Sequence, residues 1–317
     1  MVPSAPEAML TESAGLTAEV RALLAAAAAA DGIAPLSEGL LEAAAGQPWS
    51  MLDVRLGEEL IGFGIAAAQG ERGALEAVIA PDHRGRGYGR MLIDALLERA
   101  GHPVWMWSHG DLPAAAAIAA AHRFTRSREL LQLQTGPVAE LQFPDRPIPE
   151  GVRLRSFSPG DEAGWLRVNN AAFDWHPEQG RQELADIRAI VEAPGFDPDS
   201  VIIATRTGTS AEDGTPATGT SAAGEAIIGF HQTKLSADHP SGRRVGEVYV
   251  IATDPAVHAR GVGQALTVAG MRYLIGAGAE FIELYVESDN APARRLYARL
   301  GFDREIMHVS YAPPEEA

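Results

Sequence analysis

The 317-residue chain has no cysteine, a single lysine and a formal net charge of −16. The missing cysteine removes disulfides, thiolate metal clusters and any mechanism through a cysteine nucleophile, and it fits a reducing compartment. The acidic balance argues against a nucleic-acid scaffold, because such proteins meet phosphate polymers with a net basic surface. A membrane helix needs roughly 20 apolar residues in a row, and no stretch supplies them. The opening MVPSAPEAMLTESAG has neither a basic start nor a compact apolar core for export. The expectation is a cytoplasmic protein, monomeric and without a metal, that binds a small molecule and neither nucleic acid nor membrane.

Hydrophobic residues at 46% and charged residues at 21% lie near globular averages, so the chain has the material for packed cores. Its length suits two domains of about 150 residues each. A repeat supports that division. LIGFGIAAA (60–68) and IIGFHQTKL (227–235) each set a Gly-Phe pair in a strand-like run. AVIAPDHRGRGYG (77–89) and VIATDPAVHARGVG (250–263) follow them, and HRFTRSREL (122–130) and LGFDREIMH (300–308) come later in each half. Between the halves, ELQFPDRPIPEG has three prolines and little periodicity, so residues 140–151 are read as a linker between domains at 1–139 and 152–317. VRLRSF begins the second domain as a strand, and the small polar stretch 205–225 is read as a loop between two strands. Ala25 to Ala30, behind Leu16, Val20, Leu23 and Leu24, is read as a core helix.

In both glycine loops an apolar strand ends in a proline turn, and a glycine pair then leads into a helix pattern. Glycines at 87 and 89, and at 261 and 263, let successive backbone N–H groups face one concavity at the positive end of a helix dipole, which makes an anion cradle. The first loop adds Arg84, Arg86 and Arg90, which suits a polyphosphate. Neither loop has the lysine followed by serine or threonine of a P-loop, nor the acidic residue of the dinucleotide fingerprint.

The loops resemble the acetyl-CoA loop of the GCN5-related N-acetyltransferases (GNAT), whose pattern is Gln or Arg, any two residues, Gly, any residue, Gly or Ala. Arg84, Gly87 and Gly89 match it in the first half. His258, Gly261 and Gly263 match it in the second, with histidine as a departure at the first position. LYVESDNAPARRLYARLGF (284–302) adds the second signature, with Asn290, Ala293, Tyr297 and Gly301-Phe302. The resemblance implies an α/β fold of two tandem GNAT domains, each a mainly antiparallel twisted sheet flanked by helices. With Phe124 set against Phe302, Ala119 falls opposite Tyr297, so the first half lacks the candidate acid. It is expected to bind acetyl-CoA without turnover.

Taken together, DGIAPLSE, VNNAAFDWHPEQGR, GFHQTK, GEVYVIATDP and LYVESDNAPA resemble the tandem GNAT family of mycothiol synthases. That family moves acetyl from acetyl-CoA to the cysteinyl amine of a cysteine, glucosamine and inositol conjugate. The resemblance implies substrate contacts from Glu38, Glu178, Lys234, Glu247 and Tyr285, with Glu38 and Glu178 on loops. It implies two acetyl-CoA sites per chain. One comprises Ala77, Val78, Ile79, Gly85, Arg86, Gly87, Tyr88, Gly89 and Arg90. The other comprises Ile251, Ala252, Thr253, His258, Ala259, Arg260, Gly261, Val262, Gly263, Gln264, Asn290, Ala291, Pro292, Ala293, Arg294 and Arg295.

Lys234 is the one lysine among 26 basic residues, in a chain that uses arginine everywhere else. A compact ammonium contacts hydroxyls or a carboxylate differently from a planar guanidinium, which marks the position for a specific task. Glu247 lies on the strand before the second cradle, on the face of Tyr249. With no cysteine and no serine in a nucleophile-elbow setting, direct attack of the amine in a ternary complex is expected, Glu247 taking its proton and Tyr297 donating toward the departing sulfur. Backbone N–H groups at 251–253 are expected to polarise the thioester carbonyl. Two rival readings keep the same cradles: a tandem N-acetyltransferase for an aminoglycoside or a protein N-terminus, and a non-catalytic acyl-CoA sensor.

Overall fold

A computed structural model describes residues 7–46, 48–69, 72–144, 147–174, 179–206, 225–236, 239, 242–257 and 261–314. The chain divides into two compact units, Met1–Leu131 with Ile306–Ala317, and Gln132–Glu305. The division departs from boundaries at 139 and 152. Val138 N–H donates to the Glu280 carbonyl (2.9 Å) and Leu141 lies against Gly301, so the segment read as a linker packs within the second unit. The last twelve residues join the first unit.

The first unit begins with strands β1 (Ala8–Glu12), β2 (Ser50–Leu56), β3 (Glu59–Gln69) and β4 (Arg72–Ile79), paired antiparallel in that order. Strand β5 (Val104–Ser108) runs parallel to β4. The last stretch of β12 (Phe302–Ala312) then pairs antiparallel with β5 through Val309–Tyr311. Helices α1 (Ala18–Asp31) and α2 (Glu38–Ala45) cover one face, where Val20, Leu23, Ala27 and Leu40 pack on Phe63, Ile65 and Val78. Helix α3 (Tyr88–Ala100) covers the other with Leu92, Ile93 and Leu96 on Leu52, Ile61 and Leu75, joined by Ala119 of α4 (Pro113–Ala121). The alanine-rich α1 is amphipathic as its spacing predicts, and Thr17 caps it by accepting from Val20 N–H.

The second unit repeats this plan. Strands β7 (Val152–Ser156), β8 (Val201–Arg206), β9 (Ala226–Ser236) and β10 (Val245–Thr253) pair antiparallel, and β11 (Phe281–Glu287) runs parallel to β10. The end of β6 (Thr125–Thr135), from Gln132 on, lies beside β11. Helices α5 (Glu162–Ala172) and α6 (Leu184–Val191) pack Trp165, Val168 and Ile187 on Ile203, Phe230 and Ala252. On the opposite face α7 (Val262–Gly276) packs Val262 and Leu266 on Ile202 and Ile228. Helix α8 (Ala291–Arg299) follows β11.

The repeat reaches into the cores. Phe63 and Phe230, partners in the Gly-Phe pairs, are both fully buried. Next to them a size exchange conserves volume. In the first unit a Cβ on Gly64 would stand 2.6 Å from Leu96 of α3. In the second unit the positions invert: His231 stands where Gly64 does, Gly270 of α7 stands where Leu96 does, and a Cβ on Gly270 would collide with the His231 ring. Each sheet and helix reaches close contact by putting its large side chain on a different partner, as dense interiors require. His231 is fully buried, its Nδ1 lies 2.9 Å from the Leu266 carbonyl, and burial pushes its pKa down to about 4. It is a neutral core residue.

Candidate active site

The parallel strand pair at the centre of each sheet comes apart. In the second unit the pairing of β10 with β11 runs from Val245↔Phe281 to Val248↔Leu284 and stops there, although β10 continues to Thr253 and β11 to Glu287. At the same point β10 carries a bulge. Its register against β9 passes from Val248↔Thr233 to Val250↔Gln232, which leaves Tyr249 as the extra residue. A bulge unpairs and bends its strand, so the β11 side of 249–253 presents ladder groups to the opening. The first unit parts in the same way, since β4 pairs with β5 only from Gly73↔Val104 to Leu75↔Met106. There the β3/β4 register runs unbroken from Gly62↔Ile79 to Gln69↔Arg72. Only the second opening has the bulge.

Both glycine loops cap the helix that follows. Gly87 (φ 88°) is the N-cap of α3 and Gly261 (φ 93°) the N-cap of α7, each in the left-handed region that glycine adopts without strain. The second glycine of each pair lies against the corresponding strand end: a Cβ on Gly89 would stand 3.7 Å from Ile79 and one on Gly263 3.9 Å from Thr253, ordinary contacts in both units. A Cβ on Gly85 or Gly87 would meet nothing within 4 Å, so the first cradle faces open space. Ala77, Val78 and Ile79 end β4 beside it, Arg86 donates to the Asp82 carbonyl (3.0 Å), and Tyr88 packs against the core. Arg84 differs from the expectation. Its guanidinium is committed to Asp31 by two hydrogen bonds (2.6 and 2.8 Å) and to the Ile79 carbonyl (3.0 Å), so it ties α1 to the strand end. Arg86 and Arg90 are the remaining cations, and Arg90 lies 3.8 Å from Asp94.

In the second unit, Ile251, Ala252 and Thr253 end β10, and Gly261, Val262, Gly263 and Gln264 begin α7. His258, Ala259 and Arg260, and the substrate candidate Glu178, lie outside the described residues. Asn290 caps α8 by accepting from Ala293 N–H (3.2 Å), with Pro292 in the first turn. Arg294 donates to the Ser288 carbonyl (3.1 Å) and pairs with Glu305 (3.3 Å). Ala291, Arg294 and Arg295 share a helix face and line a cavity of about 310 Å³ with Leu133, Ala298, Phe302 and Glu305. Helical spacing puts Asn290, Ala293 and Tyr297 on a different face, so the structure separates the expected contacts from 290–295 into two groups.

Tyr297 is buried near the end of α8, with its ring edge-on to Phe302 at 5.6 Å between centroids. Burial pushes its pKa up to about 12. Ala119, also buried, is the corresponding residue of α4. The loss of a donor there is thus a feature of the fold as well as of the sequence.

Lys234, Glu247 and Glu283 form a row across three adjacent strands, through the registers Glu247↔Lys234 and Glu247↔Glu283. Alternation puts them on the α5 and α6 side of the sheet, since a Cβ on neighbouring Gly246 would meet Leu274 of α7. The row lies one residue before the strands part. Lys234 Nζ is 5.6 Å from the ring centroid of Tyr249. Tyr249 and Tyr285 are about half exposed. Glu283 was not singled out in the sequence, although a lone carboxylate in the apolar run FIELYV was its signal. Glu38 lies in the first unit and is the first residue of α2 rather than a loop residue, following the N-cap Ser37. Ser37 N–H donates to the buried Glu76 (2.7 Å), whose other oxygen is 3.1 Å from His109 Nε2.

A sequence model of the acetyltransferase (GNAT) family matches residues 20–124 and 184–302. The chain is 42% identical over 316 residues to a mycothiol acetyltransferase of Thermomonospora curvata, with 97% of this chain and 98% of that protein covered. It is 42% identical over 305 residues to another from Nocardia farcinica, with 94% of each covered. Among solved structures, a GCN5-related N-acetyltransferase from Sphaerobacter thermophilus superposes with a TM-score of 0.71 at 19% identity, over 96% of this chain and 94% of that one. A tandem GNAT protein from the clavulanic acid biosynthesis pathway superposes with a TM-score of 0.64 at 16% identity, over 98% and 100%. At such identities the two structures speak for the tandem fold alone.

Proposed function

The chain belongs to the acetyltransferase (GNAT) family as a tandem member, and from that premise we propose that it is a mycothiol synthase. It transfers acetyl from acetyl-CoA to the cysteinyl amine of the cysteine, glucosamine and inositol conjugate, giving mycothiol and CoA. Relatives named mycothiol acetyltransferase, 42% identical over nearly the whole chain, support the substrate. The observation that carries the chemistry is the opening beyond Val248↔Leu284, with the Lys234, Glu247 and Glu283 row at its edge and Gly261 capping the helix beside it.

In this reading the pyrophosphate of acetyl-CoA rests on the backbone of Gly261 to Gln264 and the thioester enters the opening. Backbone N–H groups of Ile251 to Thr253, beyond the bulge, stabilise the carbonyl oxygen as it gains charge. The amine attacks directly. An α-amino group of pKa about 7.7–8.0 is roughly one-tenth neutral at pH 7, so freeing it costs only about 1 kcal/mol. Positioning two bound reactants is the larger contribution, on the order of 7–11 kcal/mol. Glu247 accepts the proton and Tyr297 donates a hydrogen bond to the departing sulfur. Lys234 and Tyr285 contact the sugar part, with Glu178 as a further substrate ligand.

The first unit is read as a second acetyl-CoA site without turnover. Its cradle at Gly85 to Arg90 is open, but the bulge is missing and alanine replaces the tyrosine. A panel of amines assayed by CoA release tests the substrate. The cysteinyl conjugate should exceed aminoglycosides and peptide N-termini in kcat/KM by orders of magnitude, and a preference for either of those would replace this reading.

A further inference from the structure

We infer that Glu283 is a specificity-determining residue of the amine site, where its carboxylate makes the substrate face select a cationic amine. The inference rests on the proposed reading and extends it to a residue that the sequence did not mark.

Glu283 is 6% exposed and stands directly beside Glu247 in the parallel pairing. Neighbouring strands lie about 4.8 Å apart, so two carboxylates share one face at short range. Like charges directly opposite each other destabilise a sheet, and burial adds to the cost of the charge. Every other described residue from Phe281 to Leu284 is apolar, and an apolar side chain at 283 would remove both penalties.

The fold instead retains the carboxylate and supports it with donors. Gln132 donates to Glu283 Oε2 at 2.9 Å and Gln134 at 3.5 Å, and His239 Nε2 lies 3.7 Å from the same oxygen. These groups come from the end of β6 and from the segment before β10. The two amides fix the carboxylate without cancelling its charge, and the His239 imidazole offsets it only when protonated. Lys234 stands on the far side of Glu247, and Arg243 and Arg304 lie over Phe281, one same-face position back along β11. Within the row itself, two carboxylates stand beside one ammonium.

An amine that is mostly protonated at pH 7 brings a positive charge to this face of paired carboxylates. Glu247 alone could accept a proton from it. A second carboxylate beside the base draws the ammonium to the point where the proton is removed and disfavours hydroxyl nucleophiles of the same shape. Charge supplies the discrimination, in line with electrostatic complementarity acting on specificity.

The test is steady-state kinetics of the full chain and of Glu283→Gln, which keeps size and hydrogen bonding. The KM for the cysteinyl conjugate should rise about 10-fold, with kcat within twofold and the KM for acetyl-CoA unchanged. An analogue bearing a hydroxyl in place of the amine should inhibit both proteins equally, because it has no charge to lose. Glu283→Asp, which retains the charge, should stay within about threefold of the parent KM. An unchanged KM for the amine in Glu283→Gln overturns the inference. So does equal weakening of amine and hydroxyl analogue, which is the signature of a merely structural role. If the parent fails to acetylate the conjugate, the functional reading falls, and the same ratio is then measured on whichever amine the panel shows to be accepted.

Discussion

Replacing Tyr297 with phenylalanine removes one hydroxyl from a buried ring and leaves its edge-on contact with Phe302 in place. A free tyrosine titrates near pH 10 and a thiol near 8.5. With burial holding Tyr297 at about 12, complete proton transfer to the departing thiolate is uphill across about 3.5 pH units, or about 5 kcal/mol. A hydroxyl so placed stabilises the thiolate by hydrogen bonding and holds its own proton. Hydrogen bonds to charged groups contribute about 1.5–3 kcal/mol, so Tyr297→Phe should lower kcat roughly 10- to 150-fold. The KM for acetyl-CoA should change little, because the thioester sulfur is neutral before reaction. Single-turnover quench-flow with saturating substrates isolates the chemical step. The parent kcat should show no alkaline limb assignable to tyrosine below about pH 11. An unchanged single-turnover rate in the variant would refute the assignment. An alkaline limb near pH 9 that vanishes in the variant would instead show a tyrosine that surrenders its proton, against the buried, desolvated environment.

Three further outcomes follow. Calorimetric titration should give two acetyl-CoA sites per chain; Gly87→Trp should abolish one and spare turnover, Gly261→Trp should abolish turnover and spare the other site, and a single site in the parent would sink this arrangement. Glu247→Gln should be most damaging at pH 6 to 7 and approach the parent above about pH 9, where the free amine is already neutral; a loss of equal size at every pH would make Glu247 a binding residue only. Gly270→Leu should collide with His231 and cost several kcal/mol of stability, His231→Gly should leave a cavity, and the pair together should recover most of the loss by reproducing the packing of Gly64 and Leu96; purely additive denaturation midpoints would contradict the exchange.

The two loop-to-helix turns were legible in the sequence because left-handed N-caps favour glycine, and Gly87 and Gly261 hold those positions. The contrast between Tyr297 and Ala119 was legible for the same local reason, since each lies five residues before a phenylalanine that starts or precedes a strand. Features that depend on pairing between distant segments were not. The bulge at Tyr249 exists only relative to the β9 register, and the Lys234, Glu247 and Glu283 row only once three strands are in place. Arg84 looked like a phosphate ligand beside its glycines, and Asp31, 53 residues earlier, takes it instead. The three prolines at 144–149 read as a boundary by composition, yet the backbone partner of Val138 lies at Glu280, beyond any local signal.

Purified protein incubated with acetyl-CoA and the cysteine, glucosamine and inositol conjugate decides the reaction, with CoA release followed by thiol trapping and the product identified by mass spectrometry. One CoA should be released per acetylated conjugate, with the acetyl group on the cysteinyl nitrogen and the thiol still free. Acetylation on sulfur or a sugar hydroxyl, or no product under conditions where another amine is acetylated, would contradict it.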